Sequence, residues 1–361
     1  MPKMASYSQE LAVAKRAVLA ACELCQSVRQ SMLSSPSSIS TTKEDKSPVT
    51  IADYGSQAII CHMLKQHFPN DPVVAEEDAS DLRVLPKSPS STTDATPLAS
   101  PPPLEQIARV VQHTLRDDTI QSTQVLDFID HGNGQVTPSG RFWTLDPIDG
   151  TKGFLRGDQY AVCLALIEHG EVKLGVLGCP VLCLKTNDDD DDDDDDDDRN
   201  ERGHLFTAIL GQRCFRESLS YDDGDGDSTP IPVMVSNNAT TMVQSFEASH
   251  GDHEAQQDGA TQLGLDNIIR MDSQAKYAMV ATGRAALYLR LSHHKENIWD
   301  HAAGSLIVQE AGGTVTDRNG KALMYGIDKK MLHNTGVVVS NGGNLHARAL
   351  EILKQRQQHE S

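Results

Sequence analysis

The chain has 361 residues, 38% of them hydrophobic, and a net charge of −19. One unbroken run, Asp188 to Asp198, holds 11 of the negative charges and leaves −8 for the remainder. No cluster of Lys and Arg stands against them, which excludes a polynucleotide-binding surface, and the length suffices for one large domain or two packed subdomains.

Ser8 caps a predicted helix from Gln9 to Leu33, with Leu11, Ala14, Val18, Ala21, Cys25 and Val28 at helical spacing. Cys22 and Cys25 fall on that helix and read as buried side chains rather than a redox pair; seven scattered Cys form no disulfide framework. Cys179 and Cys183 have no matching pair that would complete a zinc site. The N-terminal region has no long apolar run and carries Glu10, so the sequence predicts no signal peptide and no membrane span, and hence a cytoplasmic protein.

A second helix is predicted from Asp53 to Phe68, ending at Pro69-Asn70-Asp71 before a short strand, Val73-Val74-Ala75, that delivers Glu76 and Glu77. Residues 86–103 are rich in Pro, Ser and Thr and read as an exposed insert without structure of its own. A helix from Leu104 to Gln121 is expected next, then a strand from Arg141 to Leu145 that ends at Asp146, where Pro147 forbids simple continuation. Two strands, Tyr160 to Glu168 and Glu171 to Gly178, form a predicted hairpin around His169-Gly170. The segment 186–202, with its adjacent like charges, is expected to be a disordered loop before a strand from His204 to Ile209. Beyond it, elements alternate through Ile231 to Val235, Ser273 to Thr282, Ala285 to Leu291, Asp300 to Ala311 and Val337 to Ser340, an α/β-like order.

Asp146 and Asp149, linked by the stiff Pro147-Ile148, can aim two carboxylates into one cleft while Gly150 allows a tight turn. Mg²⁺ prefers oxygen ligands and keeps several waters, so such a site leaves room for a phosphate and an attacking water; the Ile148 carbonyl is a further candidate ligand. The Thr151 hydroxyl and the N–H groups of Gly150, Thr151 and Lys152 could face the phosphate. Asp53, Glu76 and Asp300 are separate acids beside apolar segments, where acids need metal, hydrogen bonds or solvent. Alone, two carboxylates near a turn are also compatible with simple turn capping.

The segment Asp146 to Thr151 resembles the signature of the inositol monophosphatase superfamily, and Trp299-Asp300-His301-Ala302-Ala303-Gly304 resembles its second signature. The stretches Lys43 to Thr50, Arg141 to Gly157 and Asp272 to Tyr277 are similar to one branch, the 3′(2′),5′-bisphosphate nucleotidases. The resemblance implies a layered αβαβα sandwich of the inositol monophosphatase and fructose-1,6-bisphosphatase type, classed α+β or α/β. It spans residues 8–357, with a metal-bearing subdomain over 8–235 and a nucleotide-binding one over 236–357.

It further implies Glu76, Asp146, Asp149, Asp300 and the Ile148 carbonyl as ligands of two or three Mg²⁺ ions, with Asp53 and Thr151 activating water. Gly150, Thr151, His250, Ser273, Lys276, Arg290 and Asp300 then bind the substrate. Inhibition by Li⁺ is implied as well. The expected substrate is a small-molecule nucleotide, adenosine 3′,5′-bisphosphate or its sulfate-bearing relative, and the expected form a monomer. Ala75 departs from the Gly often found before the acidic pair. Two alternatives stay open: an inositol polyphosphate 1-phosphatase or monophosphatase, and a non-catalytic acidic protein that binds cations through its Asp run.

Overall fold

The computed structural model describes residues 6–34, 47–83, 103–184, 202–219, 229–247, 253–291 and 294–360. Nearly all of the two inserts, residues 86–102 and 186–201, lie outside the described residues, as do Lys43 to Lys46 of the first motif and His250.

Helix α1 (Ser8–Ser34) and helix α2 (Ser47–His67) pack on each other because each carries an apolar stripe: Val13, Ala17, Val18, Ala21, Leu24 and Cys25 on one, Ala52, Ile59, Ile60 and Leu64 on the other. Cys22 and Cys25 are fully buried and burial pushes both thiols up, Cys25 to about 12, so they are packing residues as expected. Helix α2 begins ahead of the expected Asp53, with Pro48 in its first turn, where a missing N–H costs nothing.

Strands β1 (Val73–Ala75) and β2 (Arg141–Asp149) pair in parallel. Between them lie α3 (Pro103–Leu115) and α4 (Ser122–Asp130) in place of the single helix expected from Leu104 to Gln121. The break follows Arg116, a non-glycine residue at φ 53°, a left-handed helix end that the sequence pattern does not announce.

From β2 the chain runs as a meander through β3 (Ala161–Glu168), β4 (Glu171–Cys183), β5 (Arg202–Ile209), β6 (Cys214–Ser218) and β7 (Ile231–Val233), completing a seven-stranded sheet in sequential order. The β3–β4 turn places His169 and Gly170 at φ 53° and 77°, both left-handed, as a tight hairpin with the strand twist requires. A short helix α5 (Thr151–Arg156) leaves the end of β2.

A second, five-stranded sheet has the order β11-β12-β10-β8-β9. It is built from β8 (Thr241–Ser245), β9 (Asn267–Met271), β10 (Leu287–Arg290), β11 (Thr314–Thr316) and β12 (Val337–Ser340). Strands β8, β9 and β10 are mutually parallel. Helices α6 (His253–Leu263), α7 (Ala275–Ala281), α8 (Ala302–Glu310) and α9 (Gly343–Glu360) complete the chain.

Three apolar layers hold these pieces together. Alternate residues of the large sheet, Trp143, Val162, Leu164, Leu166 and Val176 among them, face α1 to α4. Their neighbours on the opposite face, such as Phe142, Cys163 and Ile167, pack on α7, α8 and one face of the small sheet, including Tyr288 and Val339. The other face of the small sheet, with Met242, Leu287 and Val338, meets α6 and α9 through Leu263, Ala349 and Leu353. Strand β3 is therefore buried on both faces, and the order of layers is helix, sheet, helix, sheet, helix. At Gly175 in β4 an added Cβ would lie 2.9 Å from the Ala303 carbonyl oxygen, so only glycine lets α8 rest on the sheet so closely.

Candidate active site

The strand ends converge on one cleft of about 390 Å³ between the two sheets. Glu76 follows β1, and Asp146 to Thr151 close β2 and open α5. Asp272 and Ser273 follow β9, Arg290 ends β10, and Asp300 stands just ahead of α8. The carboxyl ends of parallel strands point at the crevice, the usual position for a ligand in sheets with helical cover.

Strand β2 does not stop at Asp146 as expected. It continues through Pro147 to Asp149, which pairs with Ala161, and the register slips between Asp146 and Asp149. A proline cannot give an N–H to the ladder, so the irregularity falls at Pro147. The slip changes the side-chain alternation and brings both carboxylates to the cleft. Gly150 follows at φ 89°, and a Cβ there would meet the Ser273 Cβ at 3.0 Å and the Gln159 carbonyl oxygen at 3.2 Å. Both backbone angle and space demand glycine.

The cleft is lined by Glu76, Asp146, Ile148, Asp149, Gly150, Thr151, Ser273, Lys276, Arg290 and Asp300, ten of the twelve residues singled out from the sequence. Asp53 lies behind them, buried in α2, and His250 is outside the described residues. The acids oppose one another. Asp146, 2% exposed, is raised above the usual carboxylate range by burial and by the charges of Glu76, Asp149 and Asp300. Glu76, open to the cleft yet flanked by protein, is raised to about 7 by desolvation and by Asp300 and Glu77. Asp300 is raised to about 6 by burial, with His301 pulling down and Asp149 pushing up. Asp53 is raised by burial, then by Glu77 and Glu76.

One buried oxygen, Asp146 Oδ1, has no hydrogen-bond partner. Oxygen donors crowded against their own repulsion, one of them unanswered, fit a hard divalent cation. A different trio, Glu296, Asp300 and His301, also brings ligand atoms within 4.8 Å of one another. There, however, Glu296 is answered by Arg290 at 2.8 Å, and His301 Nδ1 shares a hydrogen bond with Tyr277 Oη at 2.7 Å. The Asp146 side is the better cation site.

The opposite wall is basic. Lys276, 3% exposed, donates to the Met271 carbonyl at 3.2 Å and lies 5.3 Å from the Tyr288 ring centroid. Burial lowers its pKa to about 8 in spite of Asp149. Ser273 is not the first residue of a helix as expected. It sits at φ 65°, two residues ahead of α7, and its hydroxyl accepts the Ala275 N–H at 3.2 Å. The next residue, Gln274, ties the walls together by donating its N–H to Asp149 Oδ2 at 2.5 Å. Thr151 Oγ1 donates to the Ile148 carbonyl at 3.3 Å, which keeps the hydroxyl beside the candidate carbonyl ligand.

Sequence reasoning missed Glu296, which fixes Arg290, and an ionic strap at the rim. There Glu247 receives Lys152 at 2.9 Å and Arg156 at 3.3 Å, and Arg156 also reaches Asp272. Nothing in the local pattern signals these partners: the strap joins segments 91 to 116 residues apart, and Glu296 meets Arg290 only because the loop after β10 folds back.

The model of the inositol monophosphatase family matches residues 6–358. A 3′(2′),5′-bisphosphate nucleotidase 1 of Arabidopsis thaliana is 41% identical over 351 residues, covering 93% of this chain and 93% of that protein. The corresponding Candida albicans protein, 3′(2′),5′-bisphosphate nucleotidase 1, is 38% identical over 355 residues, covering 93% and 92%. Among solved structures, the inositol monophosphatase of Anabaena (Nostoc) superposes with a TM-score of 0.57 over 96% of both chains at 19% identity, a likeness of fold. On its layered fold, its acid-lined cleft and a match along almost its whole length, the chain belongs to the inositol monophosphatase family and is a phosphatase.

Proposed function

We propose that the protein is a Mg²⁺-dependent 3′(2′),5′-bisphosphate nucleotidase that hydrolyses adenosine 3′,5′-bisphosphate to AMP and phosphate, and 3′-phosphoadenylyl sulfate to adenylyl sulfate. The carrying observation is one cleft with a carboxylate wall facing a Lys276 and Arg290 wall, in a chain whose relatives bear that name. In this reading residues 8–357 act as one phosphatase unit, the part before residue 236 supplying the acids except Asp300 and the part after it the nucleotide contacts. The protein works as a cytoplasmic monomer in sulfate assimilation and nucleotide by-product removal; no described helix is long and apolar enough to cross a membrane.

Glu76, Asp146, Asp149, Asp300 and the Ile148 carbonyl would hold the Mg²⁺ ions, whose chemistry is to neutralise phosphate oxygens and to acidify water. Thr151 Oγ1 orients the attacking water and relays its proton to Asp53, on a helix that packs against α5. The raised proton affinity of buried Asp53 suits that acceptor role. The water oxygen bonds to phosphorus, the bond from phosphorus to the ribose oxygen breaks, and a proton returns to that oxygen. Arg290, braced by Glu296, and Lys276 meet the remaining anionic groups of the nucleotide, with Ser273 and His250 beside them. Li⁺ is an expected inhibitor.

Phosphate release should be measured with Mg²⁺ from adenosine 3′,5′-bisphosphate, 3′-phosphoadenylyl sulfate and inositol 1,4-bisphosphate side by side. Preferred turnover of the two nucleotides is expected. Turnover of the inositol bisphosphate alone would overturn the reading.

A further inference from the structure

A second groove, of about 430 Å³, lies beside the catalytic cleft and shares Asp272 with it. Three arginines from separate elements line it: Arg29 of α1, Arg202 at the start of β5 and Arg270 of β9. The two acids of the groove already have a partner. Arg156 pairs with Asp158 at 2.9 Å and with Asp272. Arg29 donates to the Gly157 carbonyl, whereas the exposed side chains of Arg202 and Arg270 make no ion pair or hydrogen bond among the described residues.

Among the described residues, four arginines against three acids, Asp158, Asp272 and the Glu247 that also holds Arg156, leave a local excess of one positive charge in a protein of net charge −19. Like charges gathered in a concavity repel unless a counter-ion is shared, and solvated surface arginines have no need to converge. Among the described residues neither Arg202 nor Arg270 braces another side chain. The one aromatic wall, Phe246, is covered by the Arg156 guanidinium, 4.3 Å from the ring centroid. The groove therefore offers charge and forked N–H donors more than a stacking platform for a base.

We propose that this groove binds a small polyanion of the phosphate or sulfate type, at a site separate from the metal cleft. The ligand is held by Arg202 and Arg270, beside the Arg156 that Asp158, Glu247 and Asp272 already engage, and Asp272 adjoins Ser273, so occupancy bears on the neighbouring cleft.

The test is calorimetric titration of the full chain, in excess Mg²⁺, with inorganic pyrophosphate. It compares the natural sequence with Arg202→Ala/Arg270→Ala, whose fold is checked by circular dichroism and by unchanged phosphatase turnover. At least one binding event is expected to weaken by about tenfold or more in the double variant, as loss of charge-assisted contacts implies. Identical isotherms for the two proteins, including no binding by either, would overturn the proposal. So would a binding event that appears only after Asp188 to Asp198 are deleted, since the groove would then belong to the chain's own acidic run. The readout is binding, so the outcome is independent of which phosphate ester the catalytic cleft hydrolyses.

Discussion

The two walls of the catalytic cleft differ in how their charge is answered. On the basic wall Arg290 is paired with Glu296 at 2.8 Å and Lys276 rests on a backbone carbonyl, so each cation has a partner within the protein. On the acidic wall Asp146, Asp300 and Glu76 are raised by burial and by one another or by Asp149, Asp149 itself is raised by burial against the pull of Lys276 and Arg290, and Asp146 Oδ1 has no partner. The charges of one wall are answered largely within the protein; those of the other await a cation on the reading proposed above.

The sharpest way to break that contrast is Asp149→Asn. Loss of a ligand charge should lower turnover of adenosine 3′,5′-bisphosphate at least about a hundredfold in a phosphate-release assay. Near-normal turnover would mean that the acidic wall is not the metal site. Arg290→Gln attacks the other wall and should raise KM by about 10–100-fold while kcat changes less, the size expected for a charge-assisted contact. A fall in kcat alone would place Arg290 with the chemistry.

Metal removal reads the walls by stability. The folded-state pKa values of Asp146 and Asp300 lie above those of an unfolded chain, so it is their protonated forms that favour the fold. That stabilisation is complete below about pH 4, the unfolded carboxyl range, and is lost as pH rises through the folded value, about 6 for Asp300. The Tm of chelator-treated protein should therefore fall from mildly acidic to neutral pH. Mg²⁺ should restore several degrees at about pH 7.5 and far less at about pH 5. A Tm indifferent to both would remove the electrostatic stress from the account.

The smallest effect expected is that of Glu296→Gln, a few-fold rise in KM. The Arg290→Gln/Glu296→Gln pair should be less than additive, because the two residues act together. Full additivity would separate them.

Half of the cleft was legible from one short stretch, since Asp146, Ile148, Asp149, Gly150 and Thr151 fall within six residues; Asp300 lies in a motif of its own, and Glu76 follows the short apolar strand β1. Glu296 was not, since its meaning comes from the way the loop after β10 returns it to Arg290. The long apolar elements α1, β3 and β4 follow from their periodicity, with boundaries displaced by a residue or a few. The breaks were harder. Arg116 ends α3 without glycine or proline, and Pro147 was expected to stop β2 when a register slip admits it. Strands β6, β8, β9 and β11 are short, and pairing across the sheet, rather than local propensity, defines them.

The meander of β2 to β7 lets each strand dock on the one made just before it, so the larger sheet can be laid down in order during synthesis. Asp300, by contrast, is made some 150 residues after Asp149. On the proposed ligand set a nascent chain carries Glu76, Asp146 and Asp149 long before the acid that completes it, and full cation affinity would arrive only once the second sheet has formed. Tight metal binding would then mark a finished molecule, with unfinished ones left unable to hold the ion.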